Sequence, residues 1–511
     1  MASVLGTGLS RVLGAARDVV IARVFGASGV SDAFWIAFTV PNTLRRFVAD
    51  EGLTGALIPA VARAEAEDSP EAAKRLANRV FTVILLINLG VCVAGWFGAE
   101  WLVKAFAYSF VSDPEKFALT VELTRWLMPF IAMVSVVSFC EGLLNHRGHF
   151  FVPKVAPGLV SAGIVCGALF AVDLFAHPAY ALVAGVLVGG LVHVLVNLPV
   201  LWRRWGALTV DLRFASPRVR RVMRELGKVV AIGVFAQLNI LVLRQLAAMV
   251  GEGGITHYWY ANRLVDLSQG VIAVAIGSAL LPNISAAVAE QRWDQVRADI
   301  VGALRLTGFL LIPVALGLLA FAEPLTALLF RHGRWTWQDT TVTAHTLRLL
   351  VPFMLAVAAI NVLKKVFFAL EDRTTLLWIG ASGIALTAAI GWALVGSSGV
   401  PGLAIALSMS TCAQVVAYVA LLYRRLGSDL GLRELGAPLA RMVVAGAAPA
   451  AALAVAARVG DWQLGPASWL NWAVAGLGVS VGAVVWLGVA KALRLSEFDE
   501  TAGRVLARFR R

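Results

Sequence analysis

The feature that most constrains this chain is a series of long apolar runs that carry almost no charge, such as residues 80–98 and 155–172. A run of about 20 apolar residues is what an α-helix needs to cross a hydrocarbon core of ~30 Å. A membrane barrel would instead alternate apolar and polar residues over strands of about 10. Here the runs are continuous. Of 511 residues, 59% are hydrophobic and 15% charged, and mean hydropathy is +0.79. Soluble domains carry about 25% charged residues. A soluble enzyme with a membrane tail and a disordered chain are both excluded. The reading is an all-α polytopic membrane protein with about fourteen spans of ~20 residues.

The spans fall at 3–24, 28–48 (continuing to about 62), 79–98, 119–141, 154–173, 179–202, 228–250 and 264–289. The remainder are 302–322, 343–366, 374–396, 401–423, 440–457 and 469–490. Breaks carry proline, glycine or charge, as at Asp113-Pro114, His177-Pro178 and Ser397-Ser398-Gly399. The net charge of +13 would suggest nucleic acid in a soluble protein; in a membrane protein it reports topology. With both termini in the cytoplasm, 30 Lys and Arg lie on the cytoplasmic side and six outside: Arg23, Lys104, Lys116, Arg331, Arg334 and Arg458. The densest basic segment, 213–228, reads as a topology anchor on anionic headgroups, with a specific binding role as the other reading. Cys92, Cys140, Cys166 and Cys412 all sit in apolar runs and fit neither a disulfide framework nor a metal site. No cleavable signal peptide is expected, since Arg11 interrupts the first apolar stretch.

Eight arginines remain inside or at the margins of spans: Arg11, Arg17, Arg45, Arg46, Arg125, Arg244, Arg263 and Arg348. Each costs at least about 2.5 kcal/mol at mid-bilayer, which places them facing a wet interior. A weak internal repeat accompanies them. Residues 29–35 (GVSDAFW) resemble 254–260 (GITHYWY), 56–59 (ALIP) resemble 279–282 (ALLP), and 144–147 (LNHR) resemble 370–373 (LEDR). Three landmarks at nearly one offset suggest a duplicated six-helix unit. An even number of spans gives both copies one orientation, related by a pseudo-two-fold axis along the membrane normal. The expected division is an N-lobe over 1–204, a basic cytoplasmic loop over 205–227, a C-lobe over 228–425, and two further helices with a basic tail over 426–511.

No P-loop, HExxH, GxSxG or GxGxxG is present. His146 and His149 lie three apart in a cytoplasmic loop, a weak metal signal, and no cofactor or metal is expected. Gly476, Gly478 and Gly482 read as close helix packing. The informative constellation is cationic. The first span holds Arg11, Arg17 and Asp18, with Arg11 and Asp18 seven apart on one helical face. The second adds Asp32, Asn42, Arg45 and Arg46; the eighth adds Asn262, Arg263 and Asp266. One reading is that the arginines pair with Asp18, Asp32 and Asp266 and merely hold helices together. The other follows from their excess over aspartate: guanidinium groups in a cavity want an anion, and their planar forks suit phosphate.

The order Ser10-Arg11-Val12-Leu13-Gly14, Arg17-Asp18, Phe25-Gly26-Ala27, Asp32-Ala33-Phe34 and Pro41-Asn42-Thr43-Leu44-Arg45-Arg46 resembles the first two helices of MurJ (MviN)-type lipid II flippases. Tyr260-Ala261-Asn262-Arg263-Leu264, Leu281-Pro282 and Phe368-Ala369-Leu370-Glu371-Asp372-Arg373-Thr374 continue the resemblance, which covers essentially the whole chain. It implies a fourteen-helix fold of the multidrug/oligosaccharidyl-lipid/polysaccharide exporter superfamily. It also implies translocation of an undecaprenyl-pyrophosphate-linked peptidoglycan precursor across the bacterial inner membrane by alternating access. By matching position, substrate-binding arginines fall on Arg11, Arg17, Arg45 and Arg263. Asp18, Asp32 and Arg46 accompany them in the cavity, and Glu51 with Arg373 matches a pair that closes the cytoplasmic side. The last two helices would form a groove for the lipid tail. Implied partners are lipid II and membrane lipids, with cell-wall synthesis proteins as candidates and no nucleic acid. The family's Arg-Arg-x-Phe-Ala-Glu-Gly is one residue longer here, so Asp50 competes with Glu51 for the gating role. Leu243 stands where some members carry a sodium-ligating Asp. The alternative function is export of another lipid-linked oligosaccharide. A drug antiporter is disfavoured because a cationic cavity repels cationic drugs, and a passive scaffold would not need arginines lining one.

Overall fold

The computed structural model describes residues 2–45, 57–213, 216–276, 280–426 and 430–498. Within them every regular element is helical and no strand occurs. The first helices are α1 (Ala2–Phe25), α2 (Gly29–Arg45), α3 (Ile58–Glu67), α4 (Pro70–Phe97), α5 (Ala99–Ala107) and α6 (Pro114–Leu127). Then come α7 (Pro129–His146), α8 (Phe151–Val155), α9 (Gly158–Phe170), α10 (Ala179–Arg204), α11 (Pro217–Ala248) and α12 (Gly254–Ile276). The rest are α13 (Leu280–Ala289), α14 (Trp293–Phe330), α15 (Trp337–Ala369), α16 (Arg373–Leu426), α17 (Gly436–Val459) and α18 (Trp469–Ala492). The chain divides into two compact units, Met1–Thr256 and His257–Arg511, with the boundary three residues into α12.

Helix starts follow local chemistry. Ser69, Asp113 and Ser216 each cap a helix whose first residue is proline, and each side chain accepts a hydrogen bond from the backbone N–H three residues on. Thr336 and Asp339 form a reciprocal capping box at the start of α15. Breaks have equally local causes. α14 kinks at Phe321, three residues before Pro324, whose ring cannot continue the hydrogen-bond ladder. α16 breaks at Gly399, with φ 60° and ψ −140°, a conformation essentially reserved for glycine. The break falls at the expected Ser397-Ser398-Gly399 turn and separates two membrane-length helices.

Eight helical stretches among the described residues are long and apolar enough to cross a membrane: 70–97, 114–146, 179–204, 293–330, 337–369, 373–426, 436–459 and 469–492. Their outer surfaces carry exposed Phe97, Trp378, Trp392 and Val484, as a lipid-facing surface should. In the first unit α9 and α10 pack without side chains between them. A Cβ built on Gly163 would lie 2.3 Å from the Gly185 carbonyl oxygen, and one on Gly189 2.8 Å from that of Leu159. α1 leans on α9 and α8, while α2 packs against α6, α5, α7 and α10. α3, α4, α7, the end of α10 and the start of α11 share a core including Val61, Leu76, Phe139, Leu143 and Val222. In the second unit α14 packs on α15 and α17, and α18 on α17. Gly478 and Gly482 make the expected close approach, to Ala456 and Pro449, whereas Gly476 meets nothing within 4 Å.

Three expected boundaries shift. α12 begins at Gly254, ten residues before the expected start at 264, because Asn262, Arg263 and Asp266 lie along one side of a helix whose other side buries Tyr260, Ala261, Leu264 and Val265. The span expected at 119–141 is two helices, α6 and α7, meeting at Met128-Pro129. From Pro217 onward the segment expected as a basic loop is helix: Val219, Val222 and Leu226 point into the core and Arg220, Arg221 and Arg224 outward.

Candidate substrate-handling site

α1 delivers the best-defined cation. Arg17 Nε and Nη2 both donate to Asp18 Oδ1, at 3.0 and 2.7 Å, and the guanidinium lies 5.5 Å from the centre of the Trp35 ring on α2. Arg17 and Asp18 are both buried, at 9% and 1% exposure. This ion pair joins neighbouring residues of α1, so it does not by itself hold two helices together. Adjacent residues on a helix point about 100° apart, so the long Arg17 side chain folds back along the helix surface to reach its neighbour. Arg11, two turns earlier, is exposed while Asp18 is buried, so sharing a helical face does not bring the two together.

Asp32 is bound differently from either expectation. It sits fully buried in the first turn of α2. Its Oδ2 accepts from the Gly253 N–H at 2.8 Å and from Lys116 Nζ at 3.1 Å; its Oδ1 accepts from the Thr256 N–H at 3.0 Å and the Thr256 hydroxyl at 2.7 Å. Two oxygens thus hold together the start of α2, the first turn of α6 and the start of α12. The cation is a lysine, whose ammonium also lies 4.1 Å from the centre of the Phe110 ring. Sequence reasoning did not single out Lys116 for this, though its signal was there: it is one of the six basic residues expected outside. Beside this hub lies a cavity of about 560 Å³ lined by groups of both signs, including Asp113, Glu115, Lys116, His177 and Glu252. The second unit has a counterpart: His257, on α12, sets Nδ1 3.0 Å from the Thr343 hydroxyl and Nε2 3.5 Å from Asp339 in the first turn of α15.

The other sequence-derived residues are scattered. Arg263 is half-buried on α12, on the side where Asn262 donates to Asp266 at 3.2 Å. Arg45 ends α2, and its side chain lies outside the described residues, as do Arg46, Asp50 and Glu51 altogether. Arg373 opens α16 and is exposed. Its neighbour Asp372 accepts from the Thr375 N–H at 3.1 Å and pairs with Arg425. The Thr375 side chain first, then its N–H and the Arg425 charge, hold the Asp372 carboxyl below its ordinary range against the opposing effect of burial.

At the end of α7, His146 and Arg147 grip α3. Glu65 lies 3.0 Å from His146 Nε2 and 2.9 Å from Arg147, whose guanidinium stacks 4.8 Å from the Trp205 ring centre. The His146 hydrogen bond, then Arg147, holds the Glu65 carboxyl below its usual range against the opposing effect of burial. Asp68 is likewise lowered by its hydrogen bond to Arg218. His146 is thus engaged with a carboxylate, and no cluster able to hold a metal occurs among the described residues.

The chain has relatives in sequence and in fold. Residues 21–472 match the family model described as lipid II flippase MurJ. The chain belongs to the MurJ family. A lipid II flippase MurJ of Burkholderia cenocepacia is 32% identical over 80% of both chains. A probable lipid II flippase MurJ of Vibrio cholerae is 28% identical over 96% of this chain and 93% of its own. Among solved structures, a MurJ in an inward closed conformation aligns with a TM-score of 0.77 at 20% identity, covering 96% of this chain and 98% of that one. An inward-facing MATE transporter of the MOP superfamily aligns at 0.65 with 15% identity, over 83% and 98%. The family match begins at residue 21, after Arg17 and Asp18 of α1. It takes in the Asp32 hub, the α7–α3 clamp and all of α17.

Proposed function

We propose that this protein flips lipid II, the undecaprenyl-pyrophosphate-linked peptidoglycan precursor, from the cytoplasmic to the periplasmic leaflet of the bacterial inner membrane. The observation that carries this is the MurJ match across residues 21–472, which leaves little of the chain for another activity. It is a transporter, not an enzyme: moving a headgroup between leaflets needs no covalent step, only a cavity that opens in turn to each side.

The roles of single residues follow from their chemistry. Arg11, Arg17, Arg45 and Arg263 meet the pyrophosphate, guanidinium forks being suited to two phosphate oxygens at once. Asp18 holds Arg17 in place until the anion arrives; the pyrophosphate then competes with the carboxylate for the same N–H groups. Asp32 with Lys116 fastens the external end. Arg46, Glu51 and Arg373 act at the cytoplasmic side.

The reading of fourteen spans in two duplicated lobes draws support from several features. α16 counts as two spans across Gly399 and α6–α7 as one; α1, α2, α9, α11 and α12–α13 complete the number. Each unit ties the start of a corresponding helix to the first turn of another through a carboxylate, Asp32 with Lys116 and Asp339 with His257, at sequence offsets close to those of the repeat. Both termini lie in the cytoplasm, and α17 and α18 cradle the polyprenyl tail.

The test is complementation of a flippase-depleted strain together with a leaflet assay of lipid II on the purified protein in vesicles. Growth rescue with transfer of lipid II bears the reading out. Transfer of a different lipid-linked oligosaccharide in place of lipid II would replace it with the exporter reading.

A further inference from the structure

The first unit holds a polar site inside its membrane-spanning helices that neither substrate handling nor helix capping employs. On α10, His193 is 4% exposed, and Asn197, one turn on, is fully buried. His193 lies 14 residues from the start of α10 and 11 from its end, about 21 and 16 Å along the axis. That is deep within a hydrocarbon core of ~30 Å. Its partner is Glu141 on α7, with His193 Nε2 3.3 Å from Glu141 Oε1. The Glu141 side chain keeps 22% of its surface accessible against 5% for His193, so the carboxylate is the open side of the site. One turn before His193, Gly190 packs directly on Phe130 and Met133 of α7 and closes that side.

Two polar atoms there are left over. His193 Nδ1 and Asn197 Oδ1 are buried with no hydrogen-bond partner among the described residues, although Asn197 Nδ2 donates to the His193 carbonyl at 3.0 Å. Native proteins seldom leave such atoms unpaired without a use for them. Ionisable groups at this depth mark ion or proton pathways by default. A carboxylate only accepts hydrogen bonds, so the neutral imidazole must carry its proton on Nε2 to reach Glu141, which leaves a lone pair on Nδ1.

We propose that Glu141 and His193 form a proton-binding site within the membrane-spanning part of the protein, with Asn197 as the acceptor that receives the added N–H. One proton enters from the Glu141 side and bonds to His193 Nδ1. The carboxylate–imidazole pair, with net charge −1, becomes a carboxylate–imidazolium pair with net charge zero. Release reverses the step, and no other bond changes.

The charged and titratable groups on the neighbouring helices are occupied elsewhere or do not pair with the site. On α6, Glu122 hydrogen-bonds Tyr180. On α2, Asp32 is held by Lys116, and on α3, Glu65 by His146 and Arg147. On α4, Arg79 pairs with Asp211 and Cys92 donates to the Met128 carbonyl. Cys140 beside Glu141 and Cys166 on α9 are free thiols. Arg125 on α6 and Lys154 on α8 make no ion pair with Glu141 or His193 among the described residues.

Two measurements on the full-length protein test the site. In lipid nanodiscs, ring-nitrogen NMR of 15N-histidine-labelled protein, with the His193 signals identified by their loss in His193→Gln, should show protonation of Nδ1 as pH is lowered across the range in which the protein stays folded. Glu141→Gln should move that midpoint to lower pH by removing the stabilising anion. His193 signals that stay constant over this range would overturn the proposal. In vesicles, lipid II transfer by wild-type protein should change severalfold over the same range, and His193→Gln and Glu141→Gln, with unchanged thermal stability, should flatten that profile. Variants that keep the wild-type profile would show that the pair binds no proton relevant to transport. This second readout rests on the flippase reading. If wild-type protein moved no lipid II, that reading would fail, while the NMR titration would still decide the proton site.

Discussion

Arg17 and Asp32 show two ways a buried charge is held. Arg17 is shared between Asp18 and the Trp35 ring, so part of its donor set is available to a ligand. Asp32 has its oxygens filled by four donors and has nothing left to offer. The expected consequences differ accordingly. Arg17→Ala, compared per folded molecule because it also strands buried Asp18, should lose lipid II transfer by more than tenfold, as expected for truncating a charge-assisted contact worth about 2–5 kcal/mol. Arg17→Lys should retain part of the activity, since the ammonium keeps the charge and loses the fork. A leaflet assay checks both, and full activity of Arg17→Ala would remove the anion-binding role. Asp32→Ala should act through stability. Leaving Lys116 buried without its carboxylate costs about 3–5 kcal/mol, and Lys116→Ala should be strongly non-additive with it. Thermal unfolding of the single and double variants measures that coupling.

At the same scale lies the limit of what the sequence could tell. Residue order placed Arg17, Asp18 and Asp32 on the right helices because helical spacing is local. It could not show that Asp32 takes a lysine 84 residues away, since that depends on how the loop before α6 returns to α2. Nor could it show that His193 meets Glu141, two residues on separate spans whose register is set by Gly190 packing on Phe130 and Met133. The start of α12 was misplaced for a related reason. Polar residues spread along a helix that is buried on one side read, in one dimension, like the edge of a helix.

At the scale of elements, α18 is divided between a stripe that touches α17 and a surface that does not. Asn471, Ala475, Gly478 and Gly482 are buried, while Leu477, Val481 and Val484 are exposed. Gly482→Leu should lower stability by about 1–3 kcal/mol through overpacking against Pro449. Val484→Arg should leave the fold intact and lower transfer of full-length lipid II more than that of a short-tailed analogue. Equal loss for the two substrates would mean that α18 serves the fold alone. The clamp between α7 and α3 gives a pH test. The Glu65 carboxyl is depressed below its ordinary 4.5 in the folded protein. Its contribution to stability is therefore complete above that value and is lost as pH falls through the lowered one. The difference in unfolding midpoint between wild type and Glu65→Gln should be steady near neutrality and vanish in acid. The pair is partly exposed, so the difference should be small, about 0–1 kcal/mol.

For the molecule as a whole, the proposed topology is what can be tested: it would set 30 Lys and Arg on the cytoplasmic side against six outside. In a variant lacking the four native cysteines, a single cysteine replacing Arg213 should react with a membrane-impermeant thiol probe only from the cytoplasmic side. One replacing Arg334 should react only from outside. The opposite pattern would invert the topology.

The glycine contact between α9 and α10 bears on how such a molecule moves. Where two helices meet through side chains, each rotamer is a small joint, and the pair can slide or roll at little cost. Where backbone rests on backbone, as at Gly163 on Gly185, there is no rotamer to adjust and no side-chain entropy to recover by separating. α9 and α10 should therefore travel as one stiff lever. Whatever motion carries a headgroup across the bilayer must be taken up at their borders with α1 and α7, where side chains fill the space between helices.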